Sequence, residues 1–234
     1  MTESSSDRCP YCGMPYETYS VPSVRGRAHV LRRECQCDGA KEAARAEFIR
    51  LRAGELTKAW RATGVPERFW GVQPDNDGLN ELEAHQGLYL SGPMGTGKTT
   101  TACRILKAYV RKNQRDGWVS ARFVSVPDWL ASMRGQWGDV EEDRFQRAAG
   151  CKLLVLDDIG KGKPTAWSVE KLFRLVDSRY NHAKPTILTS NYDLGDLGER
   201  YAVDGDHETA DAMVSRLAEM CAGLVFGGPD LRKK

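Results

Sequence analysis

Eight consecutive residues, Gly92-Pro93-Met94-Gly95-Thr96-Gly97-Lys98-Thr99, constrain this chain more than any other stretch. They fill the spacing G-x-x-x-x-G-K-[ST], and both flanks suit it. Ahead of them, Gly87-Leu-Tyr-Leu-Ser91 reads as a short buried strand. Behind them, Ala102, Ile105, Leu106, Tyr109 and Val110 fall on one helical face, with Arg104, Lys107, Arg111 and Lys112 off it. A strand, a glycine loop and a helix make a phosphate site. The glycines let backbone N–H groups close around a phosphate, and the helix N-terminus adds partial positive charge. In such a loop Lys98 reaches the β/γ oxygens of a nucleotide, and the Thr99 hydroxyl ligates Mg²⁺.

Beyond the loop, strand and helix patterns alternate, which predicts an α/β fold with a mostly parallel sheet. Residues 121–126 read as a strand followed by a short helix through Leu130 and Met133. Residues 137–150 are polar and read as partly loop. Lys152-Leu-Leu-Val-Leu-Asp157-Asp158-Ile159 is a buried parallel strand closing on two acids, at the sheet edge where open α/β sheets bind ligands. Asp157 suits Mg²⁺, directly or through water, and Asp158 suits polarising an attacking water. Residues 167–180 form a helix with Val169, Leu172, Phe173, Val176 and Tyr180 inward, and residues 185–191 a strand ending on Asn191. That asparagine is placed either to touch a γ-phosphate or its water, or simply to form a turn. A helix over residues 208–221 and a last strand over residues 224–226 complete the pattern. Only eight residues follow Phe226, too few for a helical lid.

Hydrophobic residues make up 41% and charged residues 28% of the 234, as in a water-soluble globular protein. A net charge of +2 excludes a strongly basic body, so nucleic-acid contact has to come from local patches. No apolar run approaches a membrane span and the first residues are polar, which predicts a cytoplasmic protein.

Seven cysteines in such a compartment need a reason other than disulfides. Cys103, Cys151 and Cys221 lie in apolar-patterned segments and suit core packing. Cys9-Pro-Tyr-Cys12-Gly and Cys35-Gln-Cys37 form two tight pairs that could complete a tetrahedral S₄ zinc site, with His29 as a substitute ligand; the other reading is four free thiols. About forty residues carry little core, so Zn²⁺ would supply much of this module's folding free energy. A helix from Gly39 to about Trp60 leads out of it and breaks at residues 64–70 and 74–78. The expected division is a zinc-binding module with linker helix over residues 1–55 and an ATPase domain over residues 56–234.

From about Leu56 onward the chain resembles the DnaC/IstB-like branch of AAA+ ATPases, most of all the helicase loaders of phages and other mobile elements. The resemblance rests on GVPERFW, GPMGTGKTT, FVSVPDWL, LLVLDDIG, KPTAWSVEKLFRLVDSRYNHAKPTILTSN, GERY, MVSRLAEMC and VFGGPDLR, in that order. It implies a three-layer AAA+ core that binds ATP with Mg²⁺, through residues 92–99, Thr100 and Asp157. It also implies roles: Asp158 as catalytic base, Asn191 as sensor 1, Arg216 as a finger supplied to a neighbouring subunit in a ring or helical assembly, and Arg232 in the sensor 2 region. The family's functions include loading a hexameric DnaB-type replicative helicase onto single-stranded DNA and helping a transposase. The cysteine module favours a loader. The alternatives are a transposition helper, or an ATPase switch whose zinc module binds DNA.

Overall fold

The computed structural model describes residues 7–21, 29–135 and 138–233. They divide into two compact units, Met1–Gly54 and Glu55–Lys234. The first carries an antiparallel hairpin, β1 (Thr18–Val21) with β2 (His29–Arg32), and most of a long helix, α1 (Asp38–Ala62).

The second unit is built on one sheet. Its strands are β3 (Gly87–Ser91), β4 (Ala121–Ser125), β5 (Leu153–Ile159), β6 (Thr186–Ser190) and β7 (Cys221–Val225), in spatial order β4-β5-β6-β3-β7 and parallel at every pairing. Parallel neighbours require crossovers, and helices supply them on both faces, so the central strands are buried on both sides, with apolar residues along them and polar ones gathered toward their C-terminal ends. In β5, Leu153 and Val155 face one core while Leu154 and Leu156 face the other. The Leu153 side is covered by the end of α1, α2 (Asn76–Ala84) and α3 (Lys98–Asn113). The Leu154 side is covered by α4 (Val126–Met133), α5 (Asp139–Gly150), α6 (Ala166–Asn181), α7 (Leu194–Tyr201) and α8 (His207–Met220). This is the expected three-layer α/β core.

Four local expectations are corrected. Residues 139–150 are helix rather than partly loop: Phe145, Ala148 and Ala149 are buried, and Glu141 and Glu142 pair with Lys171 and Arg174 of α6; Trp137 lies outside the described residues. The stretch at 74–78 starts a helix instead of only breaking one, because the Asp75 carboxylate caps α2 by accepting from the Gly78 N–H at 3.0 Å. Cys221 opens β7 rather than closing α8, and β7 ends at Val225. Of the expected inward face of α6, Phe173 and Tyr180 are only half-buried, and Leu175 fills the core with Val169, Leu172 and Val176. As for the single cysteines, Cys103 and Cys151 are buried and Cys221 is half-buried.

One buried cation ties the end of α5 to the starts of β5 and β6. Arg179 of α6 is 0% exposed. Its Nη1 donates to the carbonyls of Ala148 and Cys151 at 3.1 and 3.0 Å, its Nη2 to Pro185 at 2.6 Å, and its Nε to Thr186 Oγ1 at 2.7 Å. Carbonyl dipoles rather than a carboxylate solvate this charge. Methionine would fill the space but leave several buried carbonyls short of a donor, at about 1–3 kcal/mol for each one stranded. Arg179→Met should therefore lower unfolding free energy by about 3 kcal/mol or more, read as a lower urea midpoint at unchanged m-value; an unchanged midpoint would contradict this account.

Candidate functional site

The phosphate loop joins β3 to α3, with Lys98 the first residue of α3. Gly92, Gly95 and Gly97 have φ of 136°, 80° and 98°, in the left-handed region that glycine occupies without cost. Space requires glycine too: a Cβ on Gly92 would collide with the Phe226 carbonyl oxygen, and one on Gly95 with the Asp230 carboxylate. Residues 226–232 therefore cross directly over the loop, fixed by Phe226 N–H to Ser91 O at 2.7 Å and Leu231 N–H to Gly95 O at 3.0 Å.

Lys98 is 6% exposed. Its ammonium donates to the carbonyls of Gly92 and Pro93, both at 2.7 Å, and to Asn191 Oδ1 at 3.0 Å. Burial lowers its pKa, opposed by the carboxylates of Asp158 and Asp157. Thr96 stiffens the loop by donating to Pro93 O at 2.9 Å. Thr99 Oγ1 donates to Asp157 Oδ1 at 2.7 Å, and Thr189 Oγ1 of β6 donates to the same oxygen at 2.7 Å. Burial pushes the Asp157 carboxyl above the usual range, while the two hydroxyls hold it down.

Asp158 breaks the strand. Its φ is +62°, and the β5–β6 register shifts between Leu156 and Ile159. Its own N–H donates to Thr189 Oγ1 at 2.9 Å, and its carboxylate accepts from Lys161 Nζ at 2.6 Å. A regular strand would send adjacent side chains to opposite faces. The bulge instead lets Asp158 line the same cavity as Lys98, Thr99, Thr100 and Asn191.

That cavity, about 430 Å³, is also lined by Met94, Gly95, Gly97 and Arg232. Gly92, Pro93, Thr96 and Asp157 support it from behind through the bonds above. The Arg232 guanidinium grips Asp230 at 2.9 and 3.1 Å. Arg216 is not part of this cavity. Its Nε donates to Asp177 Oδ1 at 2.6 Å, and its guanidinium lies over the rings of Phe173 and Tyr180. Arg68, Phe69, Lys161 and Leu231 line the cavity without having been singled out from sequence, and Thr189 supports it. Arg68, Phe69, Thr189 and Leu231 lie in stretches that carry the family resemblance, which was the available signal for them; Lys161 lies outside those stretches, and folding alone brings it in. The donor set fits a nucleotide with Mg²⁺: a cradle open only to glycine, one buried ammonium, and a hydroxyl beside a carboxylate.

In the first unit, the Sγ atoms of Cys9, Cys12, Cys35 and Cys37 all lie within 4.8 Å of one another. Cys9 and Cys37 are 3.8 Å apart, and Cys12 and Cys35 3.5 Å. A zinc tetrahedron with Zn–S of about 2.3 Å requires sulfurs about 3.8 Å apart. The backbone N–H of Tyr11 brings the Cys9 thiol down to about 7 against the effect of burial, while the thiols crowded beside them push Cys12 and Cys37 the other way, so the four share their protons as one group. The Ala40 N–H points at Cys37 Sγ at 3.4 Å. His29, exposed in β2, is not in the group. The four sulfurs thus fit zinc. Protein purified without added metal should carry one zinc per chain by elemental analysis, and Cys9→Ser should lose it and unfold the first unit while the second keeps its thermal transition. Absence of stoichiometric zinc would contradict the assignment.

No helix among the described residues is long and apolar enough to cross a membrane. Residues 72–234 match the family described as IstB-like ATP binding protein. The chain is 27% identical over 177 residues to an insertion-sequence ATP-binding protein of Mycobacterium tuberculosis, covering 74% of this chain and 66% of that one. It is 27% identical over 142 residues to the replicative helicase loader DnaI of Bacillus subtilis, covering 60% of this chain and 44% of the loader. The matched stretch thus spans less than two thirds of either relative. Among solved structures, that of the DnaC helicase loader superposes with a TM-score of 0.52 at 25% identity, covering 69% of this chain and 100% of the other. With a family match over most of its length and the phosphate loop at its centre, the chain belongs to the IstB-like ATP-binding proteins.

Proposed function

We propose that this protein is a Mg²⁺-dependent ATPase that loads a hexameric DnaB-type replicative helicase onto single-stranded DNA. The observation that carries the ATPase reading is the convergence of Lys98, Thr99, Asp158 and Asn191 on one cavity, with Asp157 bonded to Thr99 behind it. Lys98 trades two neutral carbonyls for β/γ-phosphate oxygens. Thr99 and Asp157 are the residues that would hold Mg²⁺, which when bound neutralises charge on the phosphates. Asp158 takes the proton of the attacking water as its oxygen bonds to the γ-phosphorus and the bond to the ADP oxygen breaks. Asn191 orients that water, and Arg232 faces the phosphates from the segment that crosses the loop. Arg216, outside its own cavity and beside Asp177, acts on the site of the next subunit in a ring or helical assembly.

The loader reading draws support from the relative in Bacillus subtilis and from the cysteine cluster preceding the ATPase unit. Insertion-sequence relatives, including an IS21 protein of Pseudomonas aeruginosa that is 30% identical over 158 residues, favour a second reading as a transposition helper.

Asp158→Asn should bind ATP as the native chain does and hydrolyse it at least about a hundredfold more slowly, because the site keeps its shape and loses its base. Native turnover by that variant would exclude Asp158 as the base. Affinity capture with the ATP-loaded Asp158→Asn protein separates the two readings. A loader retains a hexameric helicase in stoichiometric amount; a helper retains a transposase instead.

A further inference from the structure

The loop that leaves Asp158 is gripped from the end of α7. Asp158 sits at φ +62°, which a residue with a side chain holds only where its surroundings fix it. On one side the support is β6: the Asp158 N–H donates to Thr189 Oγ1 at 2.9 Å, and the Ile159 carbonyl accepts from Ser190 Oγ at 2.9 Å. On the other side it is α7. The Gly160 N–H donates to the buried Tyr201 Oη at 2.8 Å. The Arg200 guanidinium donates through Nε to the Gly160 carbonyl and through Nη2 to the Gly162 carbonyl. The approach is close, since a Cβ on Gly160 would meet Leu197 and the Tyr192 ring at 2.9 Å.

Arg200 also touches the chain next to Asn191. Its guanidinium lies 4.9 Å from the centre of the ring of Tyr192, the residue that follows Asn191. The Tyr192 backbone is itself fixed, by its N–H to Ser190 Oγ at 3.1 Å and by Tyr89 Oη donating to its carbonyl at 2.8 Å. Arg200 does not line the nucleotide cavity. A guanidinium can serve both neighbours at once, because its donors lie in one plane and its face is free to stack.

We propose that Arg200 is a positioning residue for ATP hydrolysis: it holds the backbone behind Asp158 and the ring behind Asn191 in one grip, so that base and asparagine keep a set geometry around the attacking water. Proton transfer needs the base within hydrogen-bond reach of that water, and a drift of about 1 Å costs up to about a hundredfold in rate. The inference rests on the reading above that Asp158 is the base, and it adds the residue that keeps that base in place without touching the nucleotide.

The test is steady-state ATP hydrolysis by the full chain at saturating Mg²⁺, beside equilibrium binding of a fluorescent ATP analogue. Arg200→Met keeps the length of the side chain and removes its donors. It should lower kcat about ten- to a hundredfold and leave nucleotide affinity within about threefold, because Lys98, Thr99 and the glycine loop do not touch Arg200. Arg200→Lys keeps the charge but cannot meet both carbonyls and lie flat on the ring, so its kcat should fall between the two at the same affinity. In the Asp158→Asn background, Arg200→Met should cost less than about threefold, since the base it would misplace is already gone. An arginine that served stability alone would lower the thermal transition and leave kcat per folded chain unchanged. Native kcat in Arg200→Met, a loss of affinity as large as the loss of kcat, or an undiminished loss in the Asp158→Asn background would each overturn the proposal. Should Arg200→Met fail to fold, Arg200→Lys decides alone: reduced kcat at native affinity supports the grip, and native kcat overturns it. Asp158→Asn by itself separates the two claims. If it turns over at the native rate, the base assignment is wrong; if it is slow while Arg200→Met matches wild type, only the positioning role is wrong.

Discussion

A single carboxylate oxygen holds the nucleotide site together. Asp157 Oδ1 accepts from Thr99 at the start of α3 and from Thr189 on β6, both at 2.7 Å, so one atom of β5 joins a helix and a neighbouring strand. Burial makes this charge costly, and the two hydroxyls offset the cost. The Thr189 hydroxyl accepts in turn from the Asp158 N–H, which fixes the bulge that puts Asp158 into the cavity. Asn191 follows one residue beyond β6 and receives Lys98. Remove the central carboxylate and the phosphate loop, both acids and the asparagine lose their common reference. Arg179 serves the same elements from the opposite end of the sheet, where it ties the carbonyls around the starts of β5 and β6.

The elements legible in the sequence were those whose reason is local. The glycine spacing of residues 92–99, the helical apolar face behind it and the apolar run into Asp157 each specify structure within a few residues. What escaped depends on distant partners. Helix α5 is polar by composition and is held by ion pairs to α6 together with the burial of Phe145. Helix α7 is eight residues long and begins on the Asp193 cap, too short to show a period. Arg68 and Leu231 reach the nucleotide cavity from opposite ends of the second unit's sequence. The bulge at Asp158 has no composition of its own, since aspartate reads equally well in a regular strand end.

The cavity within one chain is rich in groups that bind phosphate and orient water. Arg68, Lys98, Lys161 and Arg232 are its cations, and two of those four are held by carboxylates, Lys161 by Asp158 and Arg232 by Asp230, while Arg68 lies over the Phe69 ring. Charge that develops on the γ-phosphate during transfer therefore meets few uncommitted donors in the single chain. An arginine from a neighbour would supply one, and Arg216, half-exposed on α8 and steadied by Asp177 and two aromatic rings, is the residue proposed for that part.

The most direct measurement of this account is ATP turnover per chain as protein concentration falls from micromolar to nanomolar at saturating Mg²⁺ and ATP. If each site is finished by the adjoining subunit, turnover per chain drops as the assembly dissociates, and the drop follows the loss of assembled species by light scattering. Constant turnover per chain throughout the range, with Arg216→Ala indistinguishable from the native protein, would mean that the site is complete within one subunit and would contradict the account.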